Sequence, residues 1–234
     1  MELPPLDYHL LAQTVLYFVI ALIGMITAVP IGVTTTNFQG ECLLYGKVVW
    51  NSTQFTPSLT VGGVCHFLVV YFVVAIILYG IAVGLYGVYA LCQRDKDIGS
   101  QMWVWPFALI NSVLTILTFI VSCIVSVGFY QFCGTFRKGK DSGANVKSCV
   151  DGQKSDWAAS WNSAGKNVYF GTYFNFFTTA QTASWVCFLV LAAQLVLCIL
   201  RIVRNRRARA AEGSYIESDV SDKRTIVDSE ARPI

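Results

Sequence analysis

The sequence predicts an all-α membrane protein, a four-helix transmembrane bundle with two disulfide-tied outer loops. Three observations predict it: four long apolar blocks, a composition of 55% hydrophobic against 13% charged residues, and a pair of cysteines in each loop that follows the first and third blocks. The blocks run about 10–29, 67–91, 104–129 and 182–203. Each reaches the roughly 20 residues a helix needs to cross hydrocarbon, and none carries Asp, Glu, Lys or Arg in its body. Inside lipid every backbone polar group must be satisfied within the segment, so blocks of this length are helices rather than strands. Soluble core helices are shorter than these runs. Residues 1–204 therefore form the membrane domain, with outer loops at about 30–66 and 130–181.

The first block has the position of a cleavable signal peptide and ends in small residues near Ala28. The segment before it has no Lys or Arg, and its apolar stretch exceeds the usual h-region, so a retained span is expected.

Orientation follows from charge only weakly. Arg94, Lys96, Arg201, Arg204, Arg206, Arg207 and Arg209 lie on one side, and Lys47, Arg137, Lys138, Lys140, Lys147, Lys154 and Lys166 on the other. Cysteine and glycan chemistry break the near-tie. Cys42 and Cys65 fall in the first loop and Cys133 and Cys149 in the second, and stable disulfides form in an oxidising compartment. The chain's one Asn-x-Ser/Thr sequon, at Asn51, lies in that first loop, and glycans are added on the lumenal side. Both loops are then lumenal or extracellular. Both termini and the turn Gln93–Met102 are cytosolic, in a membrane of the secretory pathway or at the plasma membrane.

Four loop cysteines allow three connectivities. Pairing within each loop is preferred because each pair brackets one loop; pairing across the loops would staple them together, and the sequence does not decide between them. Cys123 and Cys187 read as packing residues inside spans. Cys92 and Cys198 fall near the cytosolic membrane edge, where S-acylation is possible and apolar filling is the plainer reading.

The spans lack the intramembrane ionisable residues that mark ion paths and proton relays. His9 and His66 have no ligands at metal-binding spacing, and no nucleophile–base pattern or phosphate-cradling loop is present. No catalytic, cofactor or metal site is expected, and no basic stripe with interleaved aromatics suggests nucleic acid. Asn111, Thr115, Thr118 and Ser122 share one face of the third span. They serve either as hydrogen-bonding glue between helices or as the lining of a small pore, and glue is preferred. Gln13, Thr14, Ser112, Ser126 and Gln194 add to the polar set. In the second span Gly80-x-x-x-Gly84, followed by Gly87, allows close helix packing, within the bundle or against another protein. Trp103, Trp105 and Trp185 suit headgroup-level anchoring.

The second outer loop carries a Gly- and Lys-rich stretch, then Trp157, Trp161 and the aromatic run Tyr169, Phe170, Tyr173, Phe174, Phe176 and Phe177. That run is expected to lie against the lipid or to form a partner-binding face. Residues 205–234 are polar, without periodicity, and read as a disordered cytosolic tail in which Ser214, Ser218, Ser221 and Thr225 are weak phosphorylation candidates.

Phe38-x-Gly40-x-Cys42-Leu43-Leu44, Ile124-Val125-Ser126-Val127-Gly128-Phe129 leading to Cys133, and Ala180-Gln181-x-Ala183-Ser184-Trp185 resemble the transmembrane protein 179 family, as does Ala231-Arg232-Pro233 in the tail. The resemblance covers most of the chain and implies a four-span architecture with no established activity. The Gly-Leu-Trp of claudins, the Cys-Cys-Gly of tetraspanins and the long cytosolic loop of innexins are all missing, so those families fit less well. The expected function is that of a non-catalytic accessory or interaction protein: it contacts the lipid bilayer and another integral membrane protein, with self-association possible. The competing expectation is a pore-forming or gap-junction-like oligomer.

Overall fold

The structure is a computed structural model that describes residues 8–60, 62–92, 104–162 and 168–230, with side chains left aside at residues 104–105, 155, 205 and 208–230. The expected turn Gln93–Met102 with Arg94 and Lys96, and also Trp103, Lys166 and Ala231-Arg232-Pro233, lie outside the described residues. The Trp105 side chain, the Arg209 side chain and the candidate phosphorylation hydroxyls do too.

Four helices are long and apolar enough to cross a membrane: α1 (Tyr8–Asn37), α2 (Gly63–Cys92), α3 (Val104–Arg137) and the first part of α5 (Tyr173–Glu230). A short helix α4 (Ala158–Trp161) lies in the second outer loop. Around the bundle α2 packs on α1, α1 on α5, and α5 on α3. The ring closes between α3 and α2 where the Tyr71 hydroxyl meets Thr118 Oγ1 at 2.7 Å. Residues Tyr71–Leu78 of α2 are π-helical, and Ile76 and Ile77 from this wider turn press on Gly24 of α1, where even a methyl group would stand 2.9 Å from both side chains.

Three of these helices outrun their apolar blocks on the outer side. α1 continues to Asn37, α3 to Arg137, and α5 begins at Tyr173 rather than near 182. Polar residues are accommodated in the extension of α1 because Thr34, Thr35 and Thr36 donate their hydroxyls to the carbonyls of Pro30, Ile31 and Gly32, one turn back. Helix α5 also continues past the membrane to Glu230, where the sequence reads as an unordered tail; the strong helix formers Ala, Arg and Glu across 206–212 supply a local reason.

The first outer loop adds one small β element to the expected four-helix bundle. It folds as an antiparallel hairpin of β1 (Cys42–Asn51) and β2 (Gln54–Thr60), with Trp50 opposite Phe55 and Asn51 opposite Gln54. Ser52 takes a φ of 56° in the tight turn between them. The β-rich run Val48-Val49-Trp50 is a strand signal. Pro57 is tolerated because β2 is an edge strand, and Val48 opposite it sends its own N–H to Thr135 Oγ1 of α3. The hairpin thus lies against the extension of α3 and roofs the bundle.

Candidate functional site

Two regions concentrate what this chain could use: a cap outside the membrane and a polar cluster inside the bundle. The cap is built from aromatic residues of five separate elements. Phe38 from the end of α1, Phe55 from β2, Phe132 and Phe136 from α3, Trp161 from α4, and Tyr173 and Phe177 from α5 are all at most 1% exposed. The rings of Phe55 and Phe38 meet Trp161 edge-on, with centroids 5.1 and 5.5 Å away, a geometry aromatic quadrupoles prefer, and Phe132 stacks on it at 6.3 Å. This corrects the expectation for the aromatic run of the second loop. Tyr173 and Phe177 neither lie on lipid nor face a partner; they fill a second hydrophobic core, and Tyr169 alone of the run stays largely exposed, at 62%. The polar tips inside this core are paired: Trp161 Nε1 donates to the Gly152 carbonyl at 3.0 Å and the Tyr173 hydroxyl to the Cys149 carbonyl at 2.6 Å.

Two disulfides staple the cap. Cys42 is bonded to Cys65, with Cα atoms 5.6 Å apart, and ties the start of β1 to the first turn of α2. Cys133 is bonded to Cys149, at 5.3 Å, and ties α3 to the second loop. Pairing is within each loop. Beside the second bridge, Asp151 Oδ2 accepts the backbone N–H groups of Lys147 and Ser148 at 2.9 and 2.8 Å, and its other oxygen pairs with Lys154 Nζ at 2.7 Å. The Lys154 ammonium first, and then the two N–H donors, hold the Asp151 carboxyl well below the usual carboxylate range. Asn51 stands exposed at the hairpin tip.

The polar cluster lies between α1, α3 and α5. Asn111 Nδ2 donates to the Tyr17 hydroxyl at 2.6 Å, Thr115 Oγ1 to the Asn111 carbonyl at 2.6 Å, and Thr118 Oγ1 to the Leu114 carbonyl at 2.7 Å. Asn111, Thr118, Ser122 and Gln194 have no exposed surface at all. The shared face read from the spacing of 111, 115, 118 and 122 therefore points into the single-chain bundle. Asn111 Oδ1 and Ser122 Oγ have no hydrogen-bond partner among the described residues. At the end of the bundle away from the cap, Arg201 donates to Gln13 Oε1 at 3.1 Å, beside a small cavity of about 40 Å³ bounded by Thr14, Tyr17 and Cys198.

The glycines of α2 all face α1. A Cβ at Gly80 would meet the Tyr17 carbonyl at 2.9 Å, one at Gly84 the Phe18 ring at 3.1 Å, and one at Gly87 the Thr14 side chain. This face is used within the chain. Cys198 is also not at an accessible edge: it is 4% exposed, with Gln13 Nε2 and Asn111 Nδ2 each 3.8 Å from its sulfur. That burial suits apolar filling, whereas Cys92 is exposed. Cys187 is buried and Cys123 half-buried, as packing residues are. Trp185, expected as a headgroup anchor, donates its indole N–H to Ser126 Oγ at 3.0 Å across the α3–α5 interface.

Sequence reasoning missed the cap core. The available signal was the recurrence of large aromatic residues in both outer loops.

Comparison with known proteins agrees with this architecture. The chain is 23% identical over 193 residues to transmembrane protein 179B of Danio rerio, which covers 82% of this chain and 83% of that protein. No solved structure matches the chain. A family model described as the transmembrane protein 179/179B claudin domain matches residues 9–227. That description corrects the expectation that claudins fit less well, since the domain is recognised here without their Gly-Leu-Trp. With four membrane-length helices, two outer disulfides and a match over nearly its whole length, the chain belongs to the transmembrane protein 179/179B claudin-domain family.

Proposed function

We propose that this multi-pass membrane protein is a non-catalytic accessory subunit, which associates with another integral membrane protein through its outer cap and lipid-facing helices. The observation that carries the reading is where its polar and small-residue faces go. The stripe Asn111, Thr115, Thr118 and Ser122 and the glycines Gly80, Gly84 and Gly87 are consumed inside one chain, which speaks against a pore lined by α3. What remains outward is an aromatic-cored, disulfide-stapled cap above apolar helix surfaces, a rigid platform suited to lateral association. On the same reading the cap faces the lumen or the cell exterior, both termini are cytosolic, Asn51 carries a glycan at the hairpin tip, and Cys92 is the candidate for S-acylation.

Crosslinking capture from intact cells, with a tag on the C-terminal end of α5, tests this. A stoichiometric membrane partner recovered in mild detergent is the expected result. Recovery of the protein alone with chaperones would count against it. A homogeneous homo-oligomer that conducts after reconstitution, and stops conducting with Asn111→Leu, would replace it by the pore.

A further inference from the structure

A groove of about 340 Å³ runs between the outer parts of α3 and α5, beside the Cys133–Cys149 bridge. We propose that it seats one anionic phospholipid of the leaflet on the cap's side, its acyl chain against α3 and its phosphate against Arg137 and Lys147. The lining changes character along its length in the order a lipid does. At the membrane end the floor is Ser126, Phe129 and Tyr130, with Phe174 above them; at the outer end it is Arg137, Lys147 and Ser148.

The vertical spacing fits. Tyr130 is 71% exposed and follows the last residue of the third apolar block. Arg137 lies seven residues further along the same helix, about 10 Å at 1.5 Å per residue. The headgroup layer on each side of a bilayer is roughly 5–8 Å thick. An Arg side chain reaching down from that level meets phosphate, the group its planar fork recognises best.

Charge complementarity selects an anionic head. Between residues 137 and 154 the chain carries five Lys or Arg against two Asp. One of those carboxylates, Asp151, is occupied by Lys154 and by the N–H groups of Lys147 and Ser148. Those two backbone bonds also fix the Lys147–Cys149 turn, which the disulfide then anchors to Cys133 on α3. Lys147 and Arg137 are thereby held on the two sides of one opening, and both are exposed. A free phosphate would use only that rim, whereas the apolar floor of Phe129, Tyr130 and Phe174 calls for a hydrocarbon chain.

Native mass spectrometry of the full-length protein, titrated with phosphatidylserine or phosphatidylcholine of the same chains, tests the assignment. Wild type is expected to retain one phosphatidylserine in preference to phosphatidylcholine. Arg137→Gln with Lys147→Gln should lower that retention about thirtyfold, since each basic residue near an anionic headgroup contributes roughly fivefold. Lys138→Gln with Lys140→Gln removes the same charge from the same segment outside the groove, and should leave retention within about twofold. Water-soluble glycerophosphoserine should compete poorly. Both variants must keep the Cys133–Cys149 bond and the wild-type melting temperature to be read. Equal retention of the two lipids, equal loss in the two double variants, or full competition by glycerophosphoserine each overturns the proposal. So does finding the groove filled by an acidic segment of a copurified protein.

Discussion

The cap and the bundle beneath it are held together by different physics. In the cap, Trp161, Phe55 and Phe136 exclude water, and the polar tips of Trp161 and Tyr173 are paired. In the bundle the surroundings are as apolar as the core, so association rests on close backbone approach and on hydrogen bonds between helices. Gly80, Gly84 and Gly87 give the first, and Asn111 with Tyr17 and Tyr71 with Thr118 the second. Among the described residues the bundle tolerates unpaired polar atoms at Asn111 and Ser122. The lesson is that one chain can carry two cores, each obeying the rules of its own solvent.

That contrast can be broken from the cap side with the largest effect. Trp161→Ala removes the ring against which Phe38, Phe55, Phe132, Phe170 and Tyr173 pack, and should destabilise by about 3–5 kcal/mol. Thermal unfolding in detergent reads this as a lowered midpoint, and a cap that merely rests on lipid would not respond. Cys133→Ser with Cys149→Ser opens a closed loop with a sequence separation of 16 residues and should cost about 3 kcal/mol. Its check is the same melt, together with a smaller mobility difference between reduced and non-reduced gels, since the Cys42–Cys65 bond remains.

From the bundle side, Gly84→Val forces α2 away from the Phe18 ring and should cost about 1–3 kcal/mol. The same change at Gly63, where nothing lies within 4 Å, should be much milder; equal effects would mean that the α1–α2 contact is not the close one described. Asp151→Asn weakens charge-assisted bonds worth about 2 kcal/mol. Because the folded carboxyl titrates below the unfolded one, its contribution is complete above the ordinary carboxylate value of about 4 and drains away as pH falls towards the folded value. Wild type and Asp151→Asn should therefore differ most in melting temperature at pH 7, and the gap should narrow as pH falls from about 4 to about 2. The smallest effect is Asn111→Leu. It loses the bond to Tyr17 but also removes an unpaired Oδ1, so stability should move by less than about 1 kcal/mol.

Both cores left different traces in the sequence. The spans were legible because length and the absence of charge are one-dimensional properties, and the inward stripe at 111, 115, 118 and 122 because helical spacing is too. The loop cysteines showed which segments to staple but left their pairing to distances that only the fold provides. The helix extensions were not legible, since hydropathy falls where the hydrocarbon ends and not where the helix does; the backbonded threonines at 34, 35 and 36 carry α1 through that change. The role of Tyr173 and Phe177 was hidden for a related reason. An aromatic run has the same composition whether it lies on a headgroup layer, faces a partner or fills a core, and Phe132 and Trp161 decide among these only from distant parts of the chain.

The hairpin has a consequence for how the protein is made. Phe55 is synthesised before the second span, whereas the rings that enclose it, Phe136, Trp157 and Trp161, emerge only after the third. During vectorial synthesis the first loop can close its Cys42–Cys65 bond early and then waits with an apolar strand face uncovered. Until the last span arrives with Tyr173, that nascent surface is a natural substrate for chaperones.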